Sequence, residues 1–113
     1  MIQWDKTMVQ PGADIETIAD FFRDLCRHCE KEGKQAAHEV IRSRITERHL
    51  QEGLCLAADG NHPSIVGRYL RETLPHNWHP DLVQRLASAV EIWQSGGPLH
   101  EVLGCFSVPV SDR

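Results

Sequence analysis

From Asp14 onward the apolar residues Ile15, Ile18, Ala19, Phe22, Leu25, Cys26 and Cys29 recur in steps of three or four. Only a helix gathers such positions on one side, because its turn repeats every ~3.6 residues while side chains on a strand alternate. A stripe of this kind must be covered by another element, which commits the chain to packing helix on helix. Asp14 offers an acceptor to the unpaired N–H groups of the first turn. Glu16 suits the positive end of the helix dipole, and Arg27 and Lys31 suit the negative end. Gly33 supplies the left-handed residue that ends a helix.

Proline and glycine punctuate the rest of the chain. Lys34 to Glu52 holds good helix formers and a narrower stripe of Ala37, Val40, Ile41 and Ile45, which predicts a second long helix closed by Gly53. Arg42, Arg44 and Arg48 fall on its outer side and Asp14, Asp20 and Asp24 on the first helix, so an antiparallel hairpin sets opposite charges side by side. Exposed pairs of this type add about 0–1 kcal/mol each. After the apolar run Leu54 to Ala58, Asp59-Gly60-Asn61 forms a turn and Pro63 starts a third helix that Pro75 stops. Pro80 starts a fourth, burying Val83, Leu86, Ala87, Val90 and Trp93 until Gly96 and Gly97. Pro98 opens a short turn through Leu103, and Gly104 releases a tail. His62-Pro63-Ser64 and His79-Pro80-Asp81 echo each other seventeen residues apart, and we read the echo as one helix-start solution used twice.

The chain therefore reads as an all-α domain of four to five helices on an antiparallel hairpin, one unit over 1–113. Extended segments occupy 1–12 and 104–113. Its 113 residues and 12.8 kDa suit one core. Ile2 and Trp4 at one end, and Phe106, Val108 and Val110 at the other, alternate as strands do. The ends are expected to pair with each other or with a second chain. No apolar run approaches the roughly 20 residues that span a bilayer, and no export signal opens the chain. A reducing cytoplasm is the expected setting of the four cysteines, as thiols or metal thiolates.

Two motifs carry a metal chemistry. Cys26-Arg27-His28-Cys29 and His76-Asn77-Trp78-His79 together offer two thiolates and two imidazoles, the donor set of tetrahedral zinc. Against that reading, both cysteines keep the register of the first stripe, where a thiol serves as a small apolar side chain, and the stretch between the pairs far exceeds that of a compact zinc finger. Packed core is favoured for Cys26 and Cys29, with no cofactor. Zinc on Cys26, Cys29, His76 and His79 stands as the alternative. His38-Glu39 lacks the second histidine of a metalloprotease motif, since Arg42 occupies that place. His38 and His49 are expected as polar rims of the second helix.

Twelve basic and sixteen acidic residues give a net charge of -4, which disfavours a general polyanion binder. Arg42, Arg44 and Arg48, with Arg68 and Arg71, read as a solvated face rather than a nucleic-acid surface. With neither a phosphate loop nor a nucleophile elbow, an enzyme is disfavoured. Trp4 and Trp78 lie off the helical stripes and are the candidate contacts to a protein partner, with capping of the chain's own core as the equal alternative. The functional expectation is a soluble, non-enzymatic interaction, regulatory or accessory protein that forms a homodimer, with zinc binding as its rival.

Overall fold

The structure, a computed structural model, describes Val9 and residues 13–106 except Asn77, and leaves out the side chains of Lys34 and His76. Among the described residues the chain is all-α, with six α-helices rather than four or five. They are α1 (Ile15–Glu32), α2 (Ala37–Arg44), α3 (Arg48–Ala58), α4 (Pro63–Thr73), α5 (Pro80–Gln94) and α6 (Leu99–Gly104). Each helix packs on the next in sequence, and α6 returns to α1, so the helices form a closed ring. The core fills the ring with Phe21, Phe22 and Leu25 of α1, Ile41 of α2, Leu54 of α3, Leu70 of α4, Leu86 and Val90 of α5, and Leu103 of α6. Phe22 sits 5.1 Å from Phe21 and 5.7 Å from Phe106 by ring centroids, which ties the end of α6 to the middle of α1.

The helix starts follow the side chains expected of them. Asp14 accepts from the Thr17 amide at 2.8 Å, and burial of Ile18, Ala19, Phe22, Leu25 and Cys26 reproduces the predicted stripe. The two His-Pro motifs cap their helices in the same way. Nδ1 of His62 accepts from the Ser64 amide, and Nδ1 of His79 from the Asp81 amide, each at 3.1 Å. In both, proline occupies the first helical turn, where its missing N–H leaves nothing unsatisfied.

The expected second long helix is broken. Ile45 turns extended at φ -100° and ψ 118°, because the backbone on either side of it pairs with the N-terminal segment. The Val9 amide donates to the Arg44 carbonyl at 2.6 Å, and the Thr46 amide donates to the Val9 carbonyl at 3.0 Å, a parallel bridge one residue long. The helical ladder cannot continue through groups already engaged across a bridge. Glu47 then caps α3 by accepting from the Leu50 amide at 2.6 Å. The hairpin of two long helices is accordingly one long helix followed by two short ones. Gly53, expected to close a helix, lies inside α3, where an added Cβ would overlap Leu70 of α4. Val9 is the described residue of the N-terminal segment, and its bridge partner is the α2–α3 link. At the other end the extension expected from Gly104 is not seen in the described residues: Gly104 belongs to α6 and Phe106 is a buried residue of the turn after it, because its ring packs on Phe22, while Ile2, Trp4, Val108 and Val110 lie outside the described residues.

Arg44 departs most from expectation. Helical register predicts it on the outer face of the second helix, yet its side chain is 0% exposed. Its guanidinium donates to the Asp24 carboxylate of α1 and lies 5.7 Å from the Phe21 ring centroid. A planar, weakly hydrated cation suits such a place better than an ammonium does. Breaking a fully buried pair from one side costs about 3–5 kcal/mol. Here Asp24 is 42% exposed, and water lowers the cost. Asp24→Ala, which leaves a buried guanidinium without this carboxylate, is expected to lower stability by about 2–3 kcal/mol in urea denaturation. Arg44→Met, which keeps an apolar stem against Phe21 and leaves Asp24 facing water, is expected to lose less. Gly53→Ala is expected to cost about 1–3 kcal/mol by overpacking despite its better helix propensity, and less in a Leu70→Val background.

Candidate functional site

The proposed metal ligands are not gathered. Cys26 is buried and Cys29 half-buried on α1, where both line a cleft of about 270 Å3 with Glu30, Trp93, Gly96, Gly97, Pro98 and Leu99. His79 caps the start of α5, whereas Trp93 stands near its end. A helix rises about 1.5 Å per residue, so fourteen residues separate the two places by about 20 Å. The Nδ1 of His79 is engaged with the Asp81 amide, and the side chain of His76 lies outside the described residues. Among the described residues, no group of three His, Cys, Asp or Glu side chains is placed to hold a metal ion.

Trp78, the candidate partner contact, is instead a core residue at 4% exposure, since the turn Leu74–His76 after α4 carries it inward. Trp4 lies outside the described residues. The arginines considered for nucleic acid mostly face carboxylates: Arg44 on Asp24, Arg48 3.9 Å from Glu52, Arg68 3.9 Å from Glu72, and Arg71 3.1 Å from Glu91. Their charge is thereby locally matched, which weakens any gain from counterion release.

The richest collection of polar groups lies where α2, α3 and α4 meet. Gln51, Glu52, Cys55, Leu56 and Asp59, on or just past α3, face Arg42 of α2 and Tyr69 of α4 across a cleft of about 300 Å3. Helical spacing places the α3 residues on one side, three or four apart. The Tyr69 hydroxyl donates to Glu52 Oε1 at 2.7 Å and lies 3.2 Å from Nδ1 of His49. With its own proton committed to Glu52, the hydroxyl accepts from the N–H of His49. At the other end, Nε2 of His38 lies 2.8 Å from Asp59 Oδ1. Both histidines are half-buried, as their rim positions predict.

Two groups of the cleft, Cys55 and Tyr69, are held in their neutral forms. Burial raises the Cys55 thiol above its ordinary value, and the guanidinium of Arg42 only partly opposes the rise. Burial, then the hydrogen bond to Glu52, pushes Tyr69 up to about 12. The cleft thus presents a guanidinium, two carboxylates, a carboxamide, a thiol and a phenol. Its residues come from three helices and form no motif, so the sequence hinted at it only through His38 and His49.

No protein-family model, curated protein or solved structure matches this chain in comparison.

Tyr69 is the one tyrosine of the chain, so its titration can be read directly in the ultraviolet. The phenolate band is expected to rise with a midpoint of about 12 in the folded protein, and earlier in Glu52→Gln. Because the folded state keeps a proton that the unfolded chain releases near 10, this group's contribution to stability is lost as pH climbs from about 10 to about 12.

Proposed function

We propose that the chain is a small non-enzymatic interaction domain that self-associates through the end of the ring where α1 and α5 begin. The observation carrying this reading is Ile15. It belongs to the apolar stripe of α1, yet it stays 39% exposed beside a cleft of about 360 Å3. Leu82 and Phe106 give that cleft an apolar lining, and His79, Asp81 and Arg85 ring it with polar groups. Apolar centre and polar rim together are the anatomy of a protein contact, and a second copy would supply the same patch by two-fold symmetry.

The electrostatics favour binding over covalent chemistry. Burial raises the thiols of Cys26, Cys55 and Cys105, keeping them protonated near neutral pH, where a nucleophile would need a thiolate. No described helix is long and apolar enough to cross a membrane. A cytoplasmic setting belongs to the same proposal, since four cysteines carried as thiols suit a reducing compartment.

Light scattering coupled to size exclusion tests the reading. The protein is expected to run as a dimer at tens of micromolar and to dissociate on dilution. Ile15→Glu should run as a monomer with an unchanged melting curve at low concentration, because an acid in the first turn suits the helix dipole. A monomer at every concentration would remove the self-association reading.

A further inference from the structure

We propose that Cys26 and Cys29 form a two-coordinate site for a soft monovalent metal ion of the Cu(I) type, in the cleft between the end of α1 and the turn joining α5 to α6. This goes beyond the interaction reading and does not depend on it.

The spacing selects the ion. Helical residues three apart hold their Cβ atoms about 5–6 Å from each other. A disulfide needs about 3.8 Å between Cβ atoms, which an intact helix does not offer. An ion held in line between two sulfurs sets them roughly 4–5 Å apart, a separation compatible with Cβ atoms about 5–6 Å from each other. Tetrahedral zinc would require two further donors, and among the described residues none completes even a group of three. A closed-shell monovalent ion accepts two thiolates in line and prefers sulfur to oxygen.

The cleft supports the same choice. Both cysteines line it together with Trp93, Pro98 and Leu99, and Glu30 lies at its edge as the one carboxylate of the lining. Gly96 and Gly97 put no side chain into it, and Gly97 cannot acquire one without meeting Ile92. Binding is balanced without an oxidant: two thiols and one Cu(I) give a bis-thiolate complex of charge -1, and two protons leave to solvent.

Anaerobic titration of the reduced full-length chain with Cu(I), in competition with a chromophoric Cu(I) chelator, tests the site. One equivalent is expected to be withdrawn by the protein, and by a Cys55→Ser/Cys105→Ser variant. Native mass spectrometry should show one copper gained and two protons lost. Trp93 fluorescence should fall and level off at one equivalent, with no such fall in Trp93→Phe. Cys29→Ser, at a half-buried position where the fold tolerates a hydroxyl, should lose the competition outright while keeping its circular dichroism spectrum. Cys26→Ser should do the same, and if it fails to fold the Cys29 variant decides alone. Retention of the ion by a folded Cys29→Ser, loss of it in the Cys55/Cys105 variant, or no withdrawal from the chelator would overturn the proposal.

Discussion

The contact between Arg44 and Asp24 fixes how the first third of the molecule is assembled. A guanidinium with no exposure to water needs a carboxylate at hydrogen-bond distance, and Asp24 lies one helix away on α1. Meeting it sets the rotation of α2 against α1. The cation then lies over the Phe21 ring, which is itself held edge-on to Phe22. The Arg44 carbonyl accepts from Val9, so the same residue whose side chain joins α1 to α2 also anchors the N-terminal segment through its backbone. The break between α2 and α3 is a result of that anchoring. It turns α3 toward α4, and from there the ring can close.

The clefts stand at joints of this ring. One lies where α2, α3 and α4 meet, one where the end of α1 faces the turn after α5, and one where α1 and α5 begin. Burial at these joints keeps the thiols neutral, and pairing neutralises most of the arginines considered for nucleic acid.

Much of the architecture was legible because it rests on local rules. The stripe of α1, the Asp14 cap, the paired His-Pro starts of α4 and α5 and the stops at Gly96 and Gly97 depend on residues within a few positions of each other. What escaped depends on partners distant in sequence. Nothing near Ile45 announces that Val9 will take its neighbours' hydrogen bonds, although the β-branched pair Ile45-Thr46 weakens helix there. Arg44 and Phe21 lie outside the simple stripes and become core through contacts that register does not announce, with each other, with Asp24 and with Phe22. Gly53 looks like a stop until Leu70, seventeen residues on, occupies the space its side chain would need. The polar cleft is opaque for the same reason, being assembled from Arg42, Gln51, Glu52, Cys55, Asp59 and Tyr69 across three helices. Trp78 could be read as a partner contact or as a cap of the core, and a short 3-10 turn, not a stripe, carries it inward.

Ring closure has a topological consequence. Because α6 lies against α1 and Phe106 stacks near Phe22, the first and last helices are neighbours although nearly the whole domain separates them in the chain. Nearly all other helix contacts join successive elements and form over short loops, so the entropy of bringing distant segments together is concentrated in this one seam. The order of the helices around the ring matters to the packing, while the point at which the backbone is opened matters far less. A permuted chain that linked α6 to α1 and began at the exposed Asp59-Gly60 turn would retain every helix-to-helix interface.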